Sequence, residues 1–126
     1  MSDRLTCRIA RAVQRMARAS GGRILVEQDG QQVVIADAVF SRTTYEVTDS
    51  SGNVQLRHTD RDFLVVADRW RIAGKIVDPK DGARITVLEQ TRNPSEVYEV
   101  MPPPGMQSVE RCDPQGYVIR VRTKKV

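Results

Sequence analysis

Between positions 5 and 16 apolar residues return every three or four places, at Leu5, Ile9, Ala12, Val13 and Met16. That spacing puts them on one face of an α-helix, which the pattern predicts over 3–19. Ser2 and Asp3 offer an N-cap, and Ser20-Gly21-Gly22 ends the segment. After the double glycine the period shortens. Runs rich in Ile, Leu and Val occupy 23–28 and 31–36, and Asp29-Gly30 between them is a strong hairpin signal. Further β-prone runs lie at 54–57, 62–67, 84–89, 96–101 and 117–123. Turn-forming clusters separate them: Ser50-Ser51-Gly52-Asn53, Pro79-Lys80-Asp81-Gly82, Thr91-Arg92-Asn93-Pro94 and Asp113-Pro114-Gln115-Gly116. In the last run Ile119 and Val121 share one face, Arg120 and Arg122 the other. The reading is mainly β: a small antiparallel β-barrel or sandwich over 23–126, one N-terminal α-helix, and a long polar loop at 41–61.

That loop holds few apolar residues beyond Tyr45, Val47, Val54 and Leu56. It forms either a long loop or a projecting hairpin tipped by Ser51-Gly52-Asn53, and segments of this kind are usually functional or disordered. Pro102-Pro103-Pro104 makes a short, stiff, extended connector. With 126 residues the chain is read as a single domain, 1–126. No stretch approaches the roughly 20 apolar residues of a membrane span, and no signal peptide is evident. The expectation is a soluble protein made in the cytoplasm, without membrane contact.

Charge changes the picture at one end only. The net charge is +4, and residues 1–20, with five Arg and one Asp, already account for it. The remaining residues are balanced, so the body is neutral. Arg4, Arg8, Arg11, Arg15 and Arg18 step by four and three. At about 100° per residue they fall within about 80° of arc, centred about 120° from the apolar stripe. Such a stripe is either a solvated face or a contact surface for an acidic partner or DNA phosphates.

Catalytic chemistry is not indicated. His58, the single histidine, has carboxylates nearby but no nucleophile motif, and reads as an exposed loop residue. Cys7 and Cys112 are too far apart in sequence to suggest a metal site, and Asp49, Asp60 and Asp62 lack the pattern of a calcium loop. Gly21-Gly22 follows a helix instead of opening one, so no phosphate cradle is expected. No catalytic residue, cofactor or metal is therefore assigned, and the protein is not read as an enzyme. A single-strand binder would need stacking platforms. Phe40, Tyr45, Phe63, Trp70, Tyr98 and Tyr117 mostly fall in apolar runs that suit a core.

The order of signals resembles a known family, the head–tail joining (head-closure or stopper) proteins of long-tailed bacteriophages. The likeness is carried by 59–65 (Thr59-Asp60-Arg61-Asp62-Phe63-Leu64-Val65), then by 76–87 through Pro79-Lys80-Asp81-Gly82. It continues at Val97-Tyr98-Glu99-Val100 and ends at 113–124, where a basic strand closes the chain. One departure stands out: the family turn usually ends Gly-Asp, and this chain has Gly82-Ala83. The resemblance implies a structural virion protein of the phage neck, made in the host cytoplasm. It implies a homo-oligomeric, six-fold ring between a head-side adaptor or portal and a tail-side terminator, joining the DNA-filled head to the tail. Such a ring helps retain the genome and lies close to packaged DNA. Candidate partner-binding residues are Arg4, Arg8, Arg11, Arg15 and Arg18 on the helix, Tyr45 and His58 on the loop, and Arg120, Arg122, Lys124 and Lys125 on the last strand. The alternatives are a tail-terminator or tail-completion protein, or a small nucleic-acid-binding β-barrel.

Overall fold

A computed structural model describes residues 2–88 and 96–126, and of residues 2–7 the backbone alone. The side chains of Arg4, Leu5 and Cys7, the capping role of Ser2 and Asp3, Glu89 and the turn at 91–94 lie outside the described residues. Helix α1 runs Ser2–Ser20. The strands are β1 (Gly21–Gln28), β2 (Gln31–Ser41), β3 (Thr44–Thr48), β4 (Val54–His58), β5 (Arg61–Val66), β6 (Arg71–Ile72) and β7 (Lys75–Ile76). They continue as β8 (Arg84–Val87), β9 (Val97–Val100), β10 (Val109–Arg111) and β11 (Val118–Lys125).

Six strands close an antiparallel barrel in the order β11-β5-β2-β1-β8-β9, with β9 returning to β11. The fold is thus a barrel and not an open sandwich. Strand β11 closes it. One edge pairs with β5 from Val118↔Val66 to Thr123↔Arg61. The other is divided between β10, at Ile119 to Val121, and β9, at Thr123 to Lys125. The Asp-Gly signal forms the expected two-residue turn, with Asp29 and Gly30 both at positive φ (54° and 74°).

Alternation sorts the side chains. Ile24, Val26, Ile35, Phe63, Val65, Ile85, Val87, Tyr98, Val100, Ile119 and Val121 fill the interior with Trp70. Phe63 meets Phe40 and Tyr98 edge to face, at 5.5 and 5.6 Å between ring centroids. Trp70 is fully buried, and its Nε1 donates to Gln28 Oε1 at 3.2 Å. That oxygen also accepts from the Lys80 amide at 3.0 Å, while Gln28 Nε2 donates to the Asp78 carbonyl. One buried amide thereby pins the connection between β7 and β8 to the end of β1. Ala83, where the family turn has a carboxylate, is buried in the core.

The helix packs outside the barrel, but not on the expected face. Val13 and Ala17 are buried with Val39 and Val66, and Ile9, Ala10, Leu64 and Val118 pack around them. Met16, expected in this contact, is 50% exposed. The buried set 9, 10, 13 and 17 is turned by about 70° from the stripe read in the sequence, and the arginines then point about 165° away from the barrel. The turn follows from close approach: small Ala10 and Ala17 let the backbone near the sheet, and Gly21 sits against β2. A Cβ on Gly21 would lie 1.9 Å from the Ala38 carbonyl oxygen.

Residues 41–61 are not an irregular loop. They form the hairpin reading of that segment, β3 and β4 paired from Thr44↔His58 to Thr48↔Val54. The tip is organised by Asp49, whose Oδ1 accepts from the amides of Ser51 and Asn53, both at 2.9 Å. The hairpin pairs with no barrel strand.

Candidate functional site

Strands β5 and β11 are half apolar and half polar on their outer face. Leu64, Val66 and Val118 lie under the helix. Asp62, Arg120 and Arg122 lie under the root of the hairpin, where Asp62 faces Arg122 in register. Asp62 is completely buried. Its Oδ1 accepts from Thr59 Oγ1 at 2.6 Å, and its Oδ2 from Arg120 Nη1 at 2.9 Å and from Thr43 Oγ1. Arg122 donates through Nε to Thr43 Oγ1 at 3.1 Å, through Nη1 to the Gln107 carbonyl at 3.0 Å, and through Nη2 to Glu110. Thr43 and Thr59, just outside the two hairpin strands, exchange further bonds between the Thr43 amide and Thr59 Oγ1 and between the Thr59 amide and the Thr43 carbonyl. The result is a polar collar that fixes where the hairpin leaves the barrel. A buried carboxylate is tolerable there because two hydroxyls and a guanidinium satisfy it.

Each sequence-derived candidate can now be placed. Arg120 and Arg122 belong to the collar, and Arg122 is buried, so both are engaged within the chain. Lys124 and Lys125 are exposed at the end of β11, and the Lys125 amide donates to Asp60 Oδ2 at 2.7 Å. His58 is exposed, and Arg42 Nη1 meets its Nε2 at 2.9 Å, which requires the ring proton on Nδ1. Tyr45, His58 and Lys124 come together at a shallow cleft of about 280 Å³ between the hairpin root and Pro102-Pro103-Pro104. Arg8, Arg11, Arg15 and Arg18 are all exposed on the helix. The sequence reading missed Thr43, Thr59 and Asp62 as a unit. Its only trace was an aspartate within a β-prone run, and its partners emerge only once the β5–β11 register is known.

At the mouth of the barrel Arg61 lies over the rings of Phe40 and Tyr98, at 4.7 and 5.3 Å, and pairs with Glu96 at 3.5 Å. Tyr98 donates its hydroxyl to Glu96 Oε2 at 2.5 Å. Burial, reinforced by that bond, pushes the phenol up to about 12. This is a structural cap on the core. Among the described residues no group of three His, Cys, Asp or Glu could hold a metal, and no helix is long and apolar enough to cross a membrane.

The described residues thus form a small closed β-barrel with a polar collar, a projecting hairpin and an outward arginine face on its helix. The sequence profile of the family described as phage head-tail joining protein matches residues 5–126, and the chain belongs to that family. It is a structural component of the phage virion that acts with head and tail proteins. The search of curated proteins finds no match to this sequence.

Proposed function

We propose that the protein is a ring-forming connector of the phage neck, a stopper seated between a head-side adaptor or portal and a tail-side terminator, that joins the two and helps keep the genome inside. Six copies in the ring are the expected number. The observation that carries this reading is the hairpin, which projects from the barrel with apolar side chains that no described residue covers. Leu56 is 71% and Val54 60% exposed. Two-stranded hairpins are marginal alone, so contact surface of this kind is best explained by a neighbour in an assembly. The barrel beneath supplies the stiffness a ring needs, because each of its six strands is paired on both sides along part of its length.

The test is complementation. DNA-filled heads assembled without this chain should fail to take tails and should lose DNA, and adding the purified protein should restore both. Heads that join tails and hold their genome equally well without it would overturn the reading.

A further inference from the structure

We infer that the exposed face of the hairpin docks on the basic flank of helix α1 in a second copy of this chain, joining subunits head to tail. The inference rests on the ring reading above and names the two surfaces through which the ring would form. By register, Glu46 lies opposite Leu56 and Thr48 opposite Val54, so all four side chains share one face. That face has an apolar centre and a carboxylate. Arg57, the hairpin's one Lys or Arg, pairs with Tyr45 in register and so belongs to the opposite face, while Glu46 is on this one and Asp49 at the tip. The Glu46–Leu56 face is therefore acidic as well as apolar.

The helix carries the complement. Positions 8, 12, 15, 16 and 19 fall on one flank. Met16 is 50% exposed there, with exposed Arg8 and Arg15 beside it and Ala12 and Ala19 completing a low surface. Arg8, Arg11, Arg15 and Arg18 make no ion pair with any described residue. Everything beyond residue 20 is neutral in sum, so this is where the excess positive charge of the molecule resides. An apolar pair beside a carboxylate fits an exposed methionine beside guanidiniums, whereas hairpin on hairpin or helix on helix would set like charges together. Because the surfaces differ, the contact is heterologous: each copy offers one of each, and repetition closes into a ring if the rotation allows.

The experiment uses two variants of the full chain, Arg8→Glu with Arg15→Glu on the helix and Glu46→Lys with Thr48→Lys on the hairpin. All four positions are exposed, and thermal unfolding checks that the fold persists. By sedimentation velocity from micromolar to millimolar concentration, the parent should assemble and each variant alone should remain monomeric. An equimolar mixture of the variants should regain assembly, since the reversed hairpin attracts the reversed helix. Leu56→Ser should raise the concentration needed for assembly by about tenfold or more without moving the thermal midpoint. A parent that is monomeric throughout overturns the inference, while the complementation test still decides the ring reading. Variants that assemble like the parent, or that fail without rescue on mixing, overturn it while leaving the ring intact. An arginine variant that assembles normally but loses affinity for duplex DNA overturns it in favour of phosphate contact.

Discussion

At the scale of single residues, a few buried polar groups decide how the barrel ends are held. Gln28 accepts from Trp70 and from the Lys80 amide with one oxygen. Gln28→Ala should leave the indole N–H without a partner in an apolar interior and cost about 2–3 kcal/mol, measured by urea unfolding. A loss within 0.5 kcal/mol of zero would show that the amide is dispensable. Tyr98 gives a pH dependence. Its phenol is held at about 12, above the ordinary 10, so the neutral form is favoured in the folded state. The stability this contributes is full below pH 10 and is lost as pH rises from there through about 12. Absorbance titration at alkaline pH should show a late tyrosine step that disappears in Tyr98→Phe. Neither residue's role was legible in the sequence. Gln28 looks like an ordinary strand end before a turn, and its partners come from some 42 to 52 positions away.

At the scale of elements, the helix and the hairpin make separable claims. Val13→Asp should cost about 3 kcal/mol by burying a charge against Val39 and Val66, whereas Met16→Asp should leave monomer stability unchanged. Equal losses in thermal melts would contradict the helix rotation described above. Asp62→Asn should loosen the hairpin root, because it removes the charge opposite Arg120 and Arg122. Limited proteolysis should then cut within 44–58 several-fold faster while the barrel fragment survives, and an unchanged cutting rate would speak against the collar. Much of the architecture was readable: the Asp29-Gly30 turn, the facing of β11, and the helix limits to within one residue at each end. What escaped is instructive. Strand β3 is polar at Thr44, Glu46 and Thr48, so its alternation has no buried face to announce it. Strands β6, β7 and β10 are two or three residues long, too short for any periodicity. The helix stripe misled because Met16 is more apolar than Ala17, yet the smaller residue permits the closer approach.

At the scale of the molecule, asymmetry of charge and of shape coincide. The excess positive charge sits on one helix and a partly apolar hairpin projects from the barrel, while residues 21–126 are neutral in sum. The isolated chain should therefore bind DNA weakly. A nucleic-acid binder would show log affinity falling with log salt by about 0.9 per phosphate contact on a duplex. Filter binding at low and physiological salt separates the outcomes. Tight, steeply salt-dependent binding that Arg8→Glu, Arg11→Glu and Arg15→Glu together abolish, with head–tail joining intact, would overturn the neck assignment. The division of β11 among β5, β9 and β10 has a consequence in time as well as in space. Every route to a closed barrel passes through nonlocal pairings, above all that of β11 with β5 from Val118↔Val66 to Thr123↔Arg61. While translation proceeds, β5 is complete at Val66 and waits with an unsatisfied edge until β11, which begins at Val118, is made. Closure is thus a nonlocal event, in the millisecond-to-second range expected of β-barrels, and waits until β11 has been made. The chain acquires its closed frame only when translation has passed residue 125, so shorter nascent chains lack the barrel from which the hairpin projects.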